Sequence, residues 1–147
     1  MTSIGVEQTY ALQPEKRNWL LSPHGTEPGT TPTVTLDVSA FAADRYPNGY
    51  IPSGTVLGTI TATSVNGAWM VGPYDNTATD GTQTAVGFLF NSVKVPNLLD
   101  LTKDVADAML VHGFVDPAKL PFASGKGSLD TAGRADLLMI HFAPVTP

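Results

Sequence analysis

The chain has 147 residues, a formal net charge of −5, no cysteine, and 42% hydrophobic against 14% charged residues. That length suits one domain around one core, and the missing cysteines exclude disulfides and thiolate metal sites. An acidic chain poor in Lys and Arg is a poor match for nucleic-acid phosphates, and no apolar run nears the roughly 20 residues of a membrane helix.

The opening residues lack the basic and apolar regions of a signal peptide, so synthesis in the cytoplasm as a soluble protein is expected. Gly (14), Pro (12) and abundant Thr favour short strands and turns over helices. Residues 1–32 carry Pro14, Pro23, Pro28 and Pro32 without useful periodicity, and read as an extended N-terminal arm outside the core. One apolar island interrupts it, Trp19-Leu20-Leu21, between Arg17 and His24. These side chains need cover. They either pack back on their own domain or dock on another chain, where Trp is a favoured anchor. Residues 33–147 form the β-rich domain. Its first strand is Thr33-Val34-Thr35-Leu36-Asp37-Val38, and Phe41, Tyr46 and Tyr50 begin the core.

Residues 51–90 organise the rest. Val56, Ile60 and Ala62 share one face at period two, with Thr55, Thr59, Thr61 and Thr63 opposite, which predicts a strand with one buried face. Asn66-Gly67 supplies the positive-φ pair of a tight hairpin, and the chain returns through Met70-Val71-Gly72-Pro73. After a polar loop, Val86, Phe88 and Phe90 are expected on one face of a further strand, with Ala85 and Gly87 opposite. The result is a bent, hairpin-based sheet. Residues 98–103 read as an irregular connection, and Leu110-Val111-His112-Gly113-Phe114-Val115 as strand rather than helix. Asp116 is placed to cap one helical turn begun by Pro117, and Asp130 to cap a short helix weakened by Gly133. Leu137-Leu138-Met139-Ile140-His141-Phe142 is predicted as the last strand.

Every candidate for chemistry fails on spacing. Residues 75–81 resemble a calcium loop, but the glycine falls one place late and Val86 stands where the closing Glu belongs. A polar loop with Asx turns is the better reading. Gly125-Lys126-Gly127-Ser128 lacks the first glycine of a phosphate loop, and Gly127 opposes the helix that should follow. His24, His112 and His141 are distant in sequence, with no one-turn helical pair, and satisfied core or edge histidines are the default. No nucleophile elbow is present. No catalytic residue, cofactor or metal ligand is assigned.

Several segments, in order, resemble lambda-type phage head decoration proteins. They are Gly54-Thr55-Val56-Leu57-Gly58, Gly72-Pro73-Tyr74-Asp75, residues 80–89 from Asp80-Gly81-Thr82-Gln83 to Phe88-Leu89, and residues 110–116 with Lys119-Leu120-Pro121. Val34-Thr35-Leu36-Asp37-Val38, Tyr46-Pro47-Asn48-Gly49-Tyr50, and Trp19-Leu20 followed by His24-Gly25 resemble the versions from phages of actinobacteria. The resemblance implies a compact, mostly β domain of the β-clip type. It implies a non-enzymatic homotrimer on the outer capsid surface at three-fold and quasi-three-fold points, hence a virion location. The arm would become ordered on the major capsid protein, with Arg17, Trp19, Leu20, Leu21 and His24 as its capsid-binding residues. Trp19→Ala is then expected to leave the free protein folded and to weaken attachment. The rivals are another phage structural module, such as a fibre or tail adaptor, and a trimeric β-clip nucleotide hydrolase. No aspartate-bearing, glycine-rich nucleotide motif supports the latter.

Overall fold

The computed structural model describes residues 15–27, 29–61 and 69–143. Nine short strands occur among them: β1 (Thr33–Leu36), β2 (Tyr50–Ile51), β3 (Val56–Thr59), β4 (Met70–Pro73), β5 (Ala85–Leu89), β6 (Val93–Lys94), β7 (Val105–Leu110), β8 (Gly113–Val115) and β9 (Ile140–Phe142). The longest helix described is α1, Thr131–Asp136. The mostly-β, helix-poor expectation holds. The sheet goes further than a bent hairpin, because five strands close a barrel in the order β1-β4-β3-β5-β7. β1 seals it, parallel to β4 (Leu36 opposite Val71) and antiparallel to β7 (Thr35 opposite Ala106). Two-stranded sheets, β2 with β6 and β8 with β9, lie outside the barrel. No helix among the described residues is long and apolar enough to cross a membrane.

Successive side chains on a strand point to opposite faces, and this sorts the core into two clusters. Val34, Leu36, Leu57, Val71, Leu89 and Met109 pack together in one, joined by Ile51 and Val93 from β2 and β6 and by Phe41 and Val95 from the connections. The sequence neighbours Val56, Phe88 and Leu110 enter the second, with Trp19, Val115, Leu137 and Ile140. β3 and β5, and β7 at Met109 and Leu110, are therefore covered on both faces. The second cluster is the layer that joins the barrel to the N-terminal segment, β8, β9 and α1.

Four expectations change. Residues 15–27 belong with the barrel rather than to an arm outside the core, because Trp19 is completely buried in the second cluster. The remainder of the arm, residues 1–14, lies outside the described residues, as do Pro28, Ala62, Thr63 and the Asn66-Gly67 turn; the pairing that the turn was expected to make, β3 antiparallel to β4, is present. β3 has no solvent face of the kind predicted: Leu57 is buried, and so is Thr55, whose hydroxyl donates to the Pro52 carbonyl. On β5 the register shifts, so that Leu57 faces Gly87 while Gly58 faces Ala85. The extra residue, Val86, turns away from the face it was assigned to, and Ala85 joins Phe88 there instead. The last strand is shorter, since Leu138 and Met139 form an exposed turn ahead of Ile140.

Candidate functional site

The segment from Arg17 to His24 runs as a strap along the second cluster. Arg17 fastens its start: Nε donates to the Phe90 carbonyl at 2.9 Å, Nη2 to Asn91 Oδ1 at 2.6 Å, and the guanidinium lies 4.1 Å from the Phe90 ring centre. The Trp19 ring stacks on Phe88, and its indole Nε1 donates to Ser53 Oγ at 3.2 Å. Ser53 in turn donates to the same Phe90 carbonyl, so the polar edge of the buried indole is satisfied. Leu20 bridges to Val115 antiparallel, and the amide of Leu21 donates to the Phe114 carbonyl. The strap thus adds a third line of backbone beside β8 and β9.

The alternation of this small sheet puts Val115 and Ile140 inward and leaves Leu21, Phe114 and His141 with exposed surface. Phe114 lies between two imidazoles, 5.9 Å from the His24 ring and 5.4 Å from the His141 ring, centre to centre. His24 also meets His112, Nε2 to Nε2, at 3.1 Å. Glu27 closes the turn after His24. One of its oxygens accepts from the Gly25 amide at 2.8 Å, and the other is 3.9 Å from His24 Nδ1. Hydrogen bonds from its own amide and that of Gly25 hold the Glu27 carboxyl below the usual carboxylate range. An apolar patch lies beyond this face. Leu138 is 88% exposed and Met139 62%. Together with Trp69, Val86 and Val111 they border a shallow groove of about 490 Å³.

The polar loops do structural work. Asp75 accepts from the amide and hydroxyl of Thr77, and Asp80 from those of Thr82. These are the expected Asx turns, and they hold both carboxyls below their ordinary range. The glycine-rich 125–128 segment makes no phosphate cradle. The Gly127 amide donates to the Tyr74 carbonyl and the Ser128 amide to that of Gly125. Asp116 and Asp130 cap their turns as expected, accepting from the amides of Ala118 and Gly133.

Of the residues assigned to capsid binding, Trp19 is withdrawn into the core and Leu20 packs against it. Arg17 is committed to Phe90 and Asn91, while Leu21 and His24 remain accessible. A buried Trp19 cannot anchor a partner without unfolding the layer around it. The meeting of His24 with His112 was missed because 88 residues separate them. The one local clue was the repeated His-Gly dipeptide, at 24–25 and 112–113. Comparison with protein-family models, curated proteins and solved structures gives no match for this chain.

Proposed function

We propose that the chain is a phage head decoration protein, without enzymatic role, that binds the major capsid protein as a homotrimer on the outer face of the shell. The observation that carries this reading is the ordered resemblance of its segments to lambda-type decoration proteins. The segments that resemble the family fall on β1, β3, β4, β5, the end of β7 and β8, which lie in the barrel and its flank. The exposed Leu138 and Met139 add support, since contiguous apolar surface marks a contact.

The mechanism is mechanical. Packaged DNA loads the joints between capsomers, and a trimer seated across a joint ties several capsid subunits together. The residues ahead of Glu15 act as the tether, rooted on a rigid body by Trp19. Ordering such a tether costs about 1–2 kcal/mol per residue of backbone freedom. Three tethers on one body make the second and third attachments intramolecular, with avidity gains of order 10²–10⁴. Strand addition to a capsid sheet edge would supply backbone hydrogen bonds with little demand on sequence. The test is co-sedimentation of the purified protein with expanded, undecorated shells, followed by imaging of the shell surface. Density at three-fold and quasi-three-fold points is expected. Failure to bind, or density only on a tail or fibre, refutes the proposal.

A further inference from the structure

We propose that His24 and His112 form a two-histidine site for a borderline divalent transition-metal ion, of the class of Zn²⁺, Ni²⁺ or Cu²⁺. The site rests on side-chain geometry and is independent of any role on a capsid. Histidine nitrogens bind such ions at about 2.0–2.1 Å. At that bond length, two nitrogens 3.1 Å apart subtend about 98° at a shared ion, between the square-planar and tetrahedral angles. With both rings aimed at the ion, their centres would then lie about 4.8 Å apart. The observed separation is 4.8 Å, with the rings at 78° to each other. The Nε2 atoms thus stand at the separation and ring spacing of a chelating pair, sharing a hydrogen bond that a bound ion would displace.

The backbone under the pair is built to hold it. Each histidine is followed by a glycine at positive φ, Gly25 at +90° and Gly113 at +148°. The two dipeptides pack reciprocally. A Cβ on Gly25 would fall 1.9 Å from the His112 carbonyl oxygen, and a Cβ on Gly113 would fall 2.9 Å from that of His24. Only glycine allows this approach and these dihedrals together, so the two imidazoles are mounted on interlocked chain segments. Glu27 stands behind His24 on its Nδ1 side. At 3.9 Å it is too far to share a hydrogen bond with Nδ1 but near enough for its charge to favour a bound cation. Among the described residues no third His, Cys, Asp or Glu joins the pair, so water completes the shell. The half-exposed His24 side chain leaves room for it. Imidazole donors select zinc, nickel and copper over magnesium and calcium. A bound ion would join the strap to the β7–β8 connection and stabilise the folded chain by mass action.

The experiment is equilibrium dialysis of the untagged full chain against Zn²⁺ and Ni²⁺, with Mg²⁺ as control and thermal unfolding recorded in parallel. About one ion per chain and a raised midpoint are expected with Zn²⁺ or Ni²⁺, and neither with Mg²⁺. His24→Ala and His112→Ala should each weaken binding beyond the ~10–100-fold loss typical of a supporting contact. His141→Ala, which removes the remaining histidine, should bind as the parent does. Absence of binding overturns the proposal, as does parent-like binding by His24→Ala or by His112→Ala. A loss in His141→Ala equal to theirs overturns it too. Imidazole ¹⁵N spectra of the unaltered protein give an answer independent of variant folding. Zn²⁺ should move the Nε2 resonances of His24 and His112 and leave those of His141 in place; the reverse pattern sinks the pair.

Discussion

Trp19 has the largest fully buried side chain described, with Phe88 stacked on its ring and Ser53 at its nitrogen. Truncation there should act on the free protein. Trp19→Ala is expected to lower unfolding stability by about 3–5 kcal/mol, read from urea denaturation. Trp19→Phe, which keeps the bulk and gives up one hydrogen bond, should cost about 1 kcal/mol for that bond plus a smaller packing loss. An unchanged midpoint for Trp19→Ala would mean that the strap is not part of the cooperative unit. The sequence left both fates of this side chain open because a Trp in a proline-rich stretch states only that it needs cover. Tyr74 gives a second prediction at this scale. Burial, and then its hydrogen bond to Asp130 at 2.7 Å, raise its pKa well above the ordinary 10.0. The protonated phenol is favoured in the folded state. Its contribution to stability is complete below pH 10 and falls as pH rises from there through the folded value. Ultraviolet titration should show one of the four tyrosines ionising only as the protein unfolds, and Tyr74→Phe should remove that late component.

At the scale of elements, α1 is too short to persist alone and is held by its ends. Asp130 Oδ1 accepts both from the Gly133 amide, at 2.8 Å, and from the Tyr74 hydroxyl, while Asp136 accepts from the Ala85 amide on β5. Asp130→Ala removes the cap and strands a buried phenol, so a loss of about 1–3 kcal/mol is expected. Asp130→Asn keeps an oxygen acceptor at the same place and should cost less. Equal losses in thermal unfolding would show that charge, not the acceptor, holds the helix. The two capping aspartates were legible in the sequence because a cap acts over two or three residues, the range a sequence pattern records. The face of β5 was not. The bulge at Val86 is set by pairing with β3, two turns of chain away, and one inserted residue reverses the alternation for everything before it. The last strand was overdrawn for a related reason: Leu137, Leu138 and Met139 are apolar, yet only Leu137 is buried.

For the whole molecule, periodicity located most of the strands but could not record that β1 pairs on both of its edges, which is what closes the barrel. It also could not show that Trp19 belongs to the body, since the proline-rich composition runs on through that side chain to residue 32 while the indole is buried. The proposed function divides between tether and body, and two deletions separate its parts. Removing residues 1–14 keeps Arg17 and Trp19, so cooperative unfolding should persist while binding to undecorated shells falls by much of the 10²–10⁴ that avidity supplies. Removing residues 1–21 also removes the indole and the strand beside β8, and should destabilise the domain itself. The apolar patch is the remaining term. If Leu138 and Met139 face a second copy, Leu138→Asp should lower the mass measured by light scattering from trimer toward monomer without changing the far-ultraviolet spectrum. Shell binding should then fall even with the tether intact, because three weak attachments act as one only while a common body holds them. A Leu138→Asp protein that stayed trimeric would move the subunit contact elsewhere on the barrel; one that became monomeric yet decorated shells at parental occupancy would remove avidity from the mechanism.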